Sequence, residues 1–125
     1  MPRTAVPYTP LVPNNHLTDV AGTTVDSTLV TNGVVINDAD PEHTLIRVTN
    51  THSSAHSVTV KAGTSSAAWM AGQGDLVQPV ALTSGVEWLG PFTSARFQQP
   101  GTKLYVDFAS GHTGAITVFK LPRAL

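Results

Sequence analysis

Short stretches of alternating apolar and polar residues are the feature that most constrains this fold. In Thr44–Asn50, the apolar Ile46 and Val48 alternate with Arg47 and Thr49. Successive side chains of a strand point to opposite faces, so this pattern buries one face of a sheet and leaves the other in water. The same period of two recurs in His56–Ala62, Leu104–Phe108 and Ile116–Phe119.

Glycine, proline, asparagine and aspartate interrupt these stretches about every eight to twelve residues, a spacing typical of sandwiches and barrels. No long stretch has the 3.6-residue period of an amphipathic helix. The sequence therefore predicts an all-β fold, a single small antiparallel β-sandwich or barrel of jelly-roll type.

Two hairpins are expected from the turn signals. One pairs Thr44–Asn50 with His56–Ala62 across the polar loop 51–55, and the other turns at Asn32-Gly33 between Leu29–Thr31 and Val34–Ile36. Further strands are expected at Ala95–Gln98 and at Leu76–Leu82. The second of these contains Pro79, which predicts a sheet edge. The segment Gly63–Asp75 is predicted to be irregular, with one helical turn.

The N-terminal residues 1–15 form a proline-rich segment, here called the arm, and residues 16–125 form the sandwich domain. Prolines 2, 7, 10 and 13 exclude a helix or a central strand in the arm. Its apolar residues predict an extended segment that binds a partner through four anchors, namely Val6, Tyr8, Leu11 and Val12. A loose tail is the alternative.

The energetics of the arm make a further prediction. Ordering the backbone costs on the order of 1–2 kcal/mol per residue, and each anchor contributes roughly 1.5–3 kcal/mol if fully buried. Because these totals are comparable over about twelve residues, we expect the arm to order only when a partner adds backbone pairing.

Composition narrows the possible functions. The 125 residues include no cysteine, which excludes disulfides and thiolate metal sites. Charged residues make up only 12% and the formal net charge is −1, so direct nucleic-acid binding is not expected. The N-terminus lacks the apolar core of a signal peptide, and no apolar run is long enough to span a bilayer, so no membrane association is expected.

No motif indicates catalysis, a cofactor or a small-molecule substrate, and we expect a protein that is not an enzyme. His52 and His56 bracket a polar loop and lack the third ligand that a metal site needs. The acidic stretch 38–42 favours a turn over a cation site. Serines occur without a nucleophile elbow. The sequence alone does not show whether any two of the acids Asp26, Asp75, Glu87 and Asp107 lie close enough to act as the carboxylate pair of a glycosidase.

Two tryptophans are candidates for partner contact. Trp69 lies beside Met70 in a glycine-flanked loop, where it either contacts a partner or packs locally. Trp88 lies in the apolar stretch Val86–Leu89, where core packing is expected. Trp69 and Met70 are therefore the predicted binding residues of the loop.

Five segments of the sequence, taken in order along the chain, resemble the small capsid decoration (cement) proteins of tailed phages, particularly those of actinobacterial hosts. These blocks are Leu45–Thr51, Val58–Gly63, Ala71–Leu76, Gly90–Phe97 and Ile116–Phe119. The resemblance implies a β-rich protein on the outer capsid surface, often a homotrimer, that binds the major capsid protein and stabilises the head. It also implies synthesis in the host cytoplasm and residence in the virion.

The leading hypothesis is thus a non-enzymatic, trimeric decoration protein. Two alternatives remain: another virion structural subunit, at the tail or at the head–tail joint, and a carbohydrate-binding β-sandwich module that stacks sugars on Trp69.

Overall fold

The computed structural model describes residues 2–122 and is built mainly of strands, which account for 39% of the chain against 13% for helices. Two packed sheets confirm the predicted all-β sandwich. The strands are β1 Thr4–Ala5, β2 Tyr8–Pro10, β3 Thr23–Val25, β4 Val34–Ile36, β5 Thr44–Asn50, β6 His56–Val60, β7 Leu76–Val80, β8 Gly85–Leu89, β9 Leu104–Phe108 and β10 Gly114–Lys120.

The first sheet has the order β1-β4-β9-β6-β7, and the second has the order β2-β10-β5-β8 with β3 also paired to β10. Pairing is antiparallel except where β1 meets β4 and β2 meets β10. β7 lies at the edge of the first sheet, as Pro79 predicted.

Inward-facing aliphatic side chains of the two sheets form the core. Those that are completely buried are Val34, Ile36, Ile46, Val48, Val58, Val60, Val80, Leu104, Val106, Ile116 and Val118. Each contributes roughly 1.5–3 kcal/mol relative to an exposed side chain. The alternation in β5 and β9 brings every second residue into this core.

The predicted hairpin of residues 44–62 is wrong, because β5 and β6 belong to different sheets. Ile46 and Val48 lie in the second sheet, Val58 and Val60 lie in the first, and the loop 51–55 crosses between the sheets. The buried Asn50 holds this crossing. Its amide nitrogen donates to the carbonyls of Ser54, at 2.9 Å, and of Val80, at 3.2 Å.

The hairpin predicted at Asn32-Gly33 is also wrong, because residues 27–32 form a helix, α1 (Ser27–Asn32). The Asp26 carboxylate caps it by accepting from the Leu29 N–H at 3.0 Å. Gly33, with φ of 80°, ends the helix and donates to the Leu29 carbonyl. An aspartate before the helix and a glycine after it favour a helix between them, and here they prevail over the β-propensity of Val30 and Thr31.

The strand predicted at Ala95–Gln98 is wrong, because residues 95–97 belong to the short helix α2 (Ser94–Phe97). Its first N–H donates to the Glu42 carboxylate at 2.7 Å, and Phe97 packs edge-on against Phe92 in the core. Two single 3-10 turns complete the helical structure, Pro41–His43 and Ala71–Gln73. The second is the helical turn expected in the irregular segment 63–75. No helix within residues 2–122 is long and apolar enough to cross a membrane.

The arm is extended, but it obtains its backbone pairing from its own chain. β1 pairs with β4 of the first sheet and β2 pairs with β10 of the second, so the arm adds one edge strand to each sheet. Arg3 forms an ion pair with Asp107 at 2.6 Å. The prediction that a partner must supply backbone pairing for the arm is therefore wrong, because β4 and β10 of the same chain supply it.

Shortening Val6 is expected to lower the free energy of unfolding by roughly 1.5–3 kcal/mol, because its side chain is 4% exposed within the chain's own core. Val12, in the same arm, is 59% exposed and is the matched control. Urea unfolding of Val6→Ala and Val12→Ala measures both. Equal midpoints for the two variants would show that the arm is not part of the folded core.

Candidate functional site

The structure separates the four arm residues that were predicted to contact a partner. Val6 is buried in the core, and Tyr8 is half-buried with its hydroxyl hydrogen-bonded to the Thr44 hydroxyl at 2.7 Å and to the Asp40 N–H at 3.0 Å. Leu11 is partly exposed and Val12 is exposed. Val6 is therefore not available to a partner, Val12 is exposed, and Tyr8 and Leu11 are both intermediate, with the Tyr8 hydroxyl already engaged within the chain.

Leu11 belongs to a larger apolar surface on the outer side of the second sheet, here called the tryptophan face. A groove of ≈ 360 Å³ runs across it. The groove is lined by Leu11, Leu17, Asp19, Leu45, Trp88 and Phe119. The connection from β2 to β3 forms one wall and returns to the sheet at Gly22, where a Cβ would overlap the Thr117 hydroxyl. Glycine at this position lets the connection pass close to the sheet.

Trp88 is the centre of this face and is 55% exposed, so the prediction that it packs in the core is wrong. It pairs in register with Arg47, an outward-facing residue of β5. Its ring stacks on Phe119 with centroids 5.6 Å apart and planes inclined by 22°, and the Arg47 guanidinium lies 5.9 Å from the ring centroid. The alternation within β8 could have predicted this exposure, because adjacent residues of a strand face opposite sides and Leu89 is buried.

The predicted loop residues form a second surface. Trp69 is 80% exposed, whereas Met70 is half-buried and donates its N–H to the Ala95 carbonyl at 2.6 Å. This exposure shows that Trp69 does not pack locally, and its contact with a partner stays a prediction. No element brings Trp69 into the groove of the tryptophan face.

Hydrogen bonds hold the Trp69 loop at its two ends. At one end Asp75 accepts from the Ala62 N–H at 2.7 Å and from the Lys61 ammonium at 2.9 Å. These hydrogen bonds lower the pKa of Asp75, with the Ala62 N–H as the main cause. Near the other end the buried Gln99 donates to the Ala62 carbonyl and accepts from Thr64. The loop is thus a supported platform for Trp69.

Three histidines meet at one end of the sandwich: His52 and His56, which lie close together in the sequence, and the distant His112. The His52 and His56 rings are 4.6 Å apart, and the His56 and His112 rings are 6.1 Å apart. His112 is buried and donates from Nε2 to the Thr49 carbonyl at 3.0 Å. Burial lowers the pKa of His112, and nearby positive charge on His56 and His52 lowers it further. The sequence pattern groups His52 with His56, but it gives no sign that His112, about sixty residues further along the chain, lies beside them.

The remaining polar candidates have structural contacts. Asp26 caps α1, Asp107 pairs with Arg3, and Asp75 holds the Trp69 loop. In the acidic stretch, Asp40 contacts His43 at 3.2 Å and Glu42 accepts from Ser94, so the stretch forms a turn. Within residues 2–122, no three histidine or carboxylate side chains are arranged to hold a metal ion.

Comparisons of this chain with protein-family models, with curated proteins and with solved structures find no match.

Mild acid is expected to destabilise the fold through His112. Its pKa in the folded state lies below the ordinary value of 6.5, so the unfolded chain binds the proton more readily. This contribution to stability is complete above pH 6.5 and is lost as the pH falls from there through the lowered pKa. Urea unfolding at pH values across this range measures the slope.

His112→Gln is expected to flatten that slope, because an amide can still donate to the Thr49 carbonyl without binding a proton. His16→Gln is the control, since His16 is exposed and makes no contact with the cluster. A slope that both variants share with the parent protein would contradict the assignment to His112.

Proposed function

We propose that this chain is a non-enzymatic structural protein of a virus, which binds the outer surface of the capsid and stabilises the head as a trimeric decoration protein. The observation that carries the binding part of the proposal is the exposed Trp88, centred on an apolar face and flanked by Arg47. The capsid assignment rests on the resemblance of the sequence blocks to phage decoration proteins.

Exposed tryptophans support a protein partner. Trp and Arg are enriched among the interface residues that carry most of the binding free energy, because a large ring desolvates much area at little cost in conformational entropy. On the tryptophan face, Trp88 is backed by Phe119 and is therefore rigid before binding. Two further exposed residues extend the apolar surface: Leu17, which lines the same groove, and Val86, which lies on the same strand as Trp88.

The charge pattern fits the same kind of partner. Only 12% of residues are charged, and the groove of the tryptophan face contains a single carboxylate, Asp19. A surface of this kind binds by shape and apolar contact more than by long-range attraction. Trimerisation would multiply modest contacts through avidity, which suits attachment to a shell of repeated subunits.

We place the proposed contact outside the buried part of the arm. Val6 and Tyr8 hold the arm to the sandwich and are not proposed to contact the capsid. The proposed contact comprises Trp88 and Leu11 in the groove, the adjacent Val12, and Trp69 on its separate loop.

Trp88→Ala is expected to weaken binding to undecorated capsids of the same virus by at least about tenfold, a loss typical of a central interface residue. Leu82→Ala is the matched control, because Leu82 is 53% exposed in the turn between β7 and β8. Co-sedimentation with capsids measures both variants, and cryo-EM of the decorated particles locates the density.

Density at three-fold or quasi-three-fold positions, lost with Trp88→Ala and kept with Leu82→Ala, is the expected result. Density at the tail would instead favour the alternative of a tail or head–tail joining subunit. Particles without added density would overturn the proposal.

A carbohydrate-binding module is the second candidate, and the 80% exposure of Trp69 is the observation that favours it. A flat, exposed indole on a loop held by hydrogen bonds can stack against a sugar. Binding of the parent protein to a glycan array, abolished by Trp69→Ala, would select this function. An array without hits would remove it.

A further inference from the structure

β8 has an open backbone edge. It is the last strand of the second sheet and pairs on one side only, with β5 from Asn50↔Gly85 to Ile46↔Leu89. Within residues 2–122, no hydrogen bond reaches β8 from its other side. Half of the peptide groups of an edge strand point away from the sheet, so β8 presents unpaired donors and acceptors to a further strand.

The other sheet edges are less suited to receive a strand. β7 contains Pro79, which lacks a donor, and β1 spans only two residues. At the far edge of the second sheet, β2 has three residues and ends in Pro10, and β3, which also pairs with β10, has three residues. β8, with five residues and no proline, is therefore the longest proline-free strand at an edge of either sheet.

The side chains of β8 specify what can be added. Val86 and Trp88 point outward and are exposed. Glu87 shares its register with the completely buried Val48, which places it on the inner face at the open edge. Within residues 2–122, Glu87 is half-buried and has no hydrogen-bond or ion-pair partner.

A carboxylate on the inner face of an edge strand discriminates between added strands. In one antiparallel register of two β8 strands, two Glu87 carboxylates would lie directly opposite each other, and such like-charge pairs are destabilising. A strand with a lysine or arginine at the facing position would instead neutralise Glu87 where water is partly excluded. Apolar residues next to that cation would lie beside Val86 and Trp88 on the outer face.

We propose that the β8 edge binds an extended segment of a partner protein by strand addition, with a lysine or arginine of that segment facing Glu87 and apolar residues packing beside Val86 and Trp88. The backbone pairing supplies affinity and the Glu87 position supplies selectivity. This inference depends on the sheet edge alone and holds whether or not the partner is a capsid protein.

Two fluorescein-labelled peptides of about eight residues, a length sufficient to cover a strand, test the inference. Both alternate valine and threonine, with a central lysine in one and a central glutamate in the other. Fluorescence anisotropy is expected to show about two- to fivefold tighter binding of the lysine peptide, as an opposite-charge cross-strand pair provides. Equal binding, or no binding of either peptide, would overturn the proposal.

Variants identify the residue responsible. Glu87→Gln is expected to abolish the preference for the lysine peptide, and Glu87→Lys is expected to invert it. Thr28→Lys, on the exposed side of α1, changes the net charge by the same amount as Glu87→Gln and is expected to keep the preference. Loss of the preference in Thr28→Lys would mean that net charge, and not the β8 edge, selects the peptide.

Hydrogen exchange locates the bound peptide. The lysine peptide is expected to slow exchange of the amides of residues 85–89 and to leave those of residues 76–80 unchanged. Protection of β7 instead of β8 would overturn the inference. Protection of β8 that needs no peptide and grows with protein concentration would show that a second copy occupies the edge, which also contradicts it.

Discussion

Contact between the inward faces of the two sheets is the interaction on which the rest of this structure depends. Ile46 and Val48 from one sheet and Val58 and Val60 from the other are completely buried in the same core. Strands that are neighbours in sequence here face each other across the core, so the chain must cross between sheets repeatedly. Each crossing brings polar backbone to the end of the sandwich, and Asn50 and His112 are buried there because their side chains satisfy carbonyls at these crossings.

This arrangement also explains where binding surfaces can form. A two-layer sandwich uses one face of each sheet for the core, and the other face remains available. In the second sheet that outer face carries Trp88, stacked on Phe119 and beside Arg47. The edge of the same strand carries unpaired peptide groups and Glu87, so one five-residue strand contributes to the proposed apolar contact and to the proposed strand addition.

Much of the strand content and part of the candidate site were predictable from local pattern. The period of two in β5, β6, β9 and β10 identified strands and their buried residues, and Pro79 identified an edge. The exposure of Trp69 agrees with its glycine-flanked position. The prediction failed where local signals compete: Val30 and Thr31 favoured a strand at residues 29–31, whereas the cap at Asp26 and the glycine at position 33 favour the observed helix.

The all-β class, the inward residues of the main strands and the absence of cysteine chemistry can be read from composition and from side-chain alternation along each strand. The sequence pattern does not tell which strands are neighbours, that the arm pairs with its own sheets, that three histidines meet, or that Trp88 faces outward beside an open edge. The reason is that alternation tells which residues share a face, whereas the choice between pairing within a sheet and packing across the core depends on contacts between residues far apart in the chain.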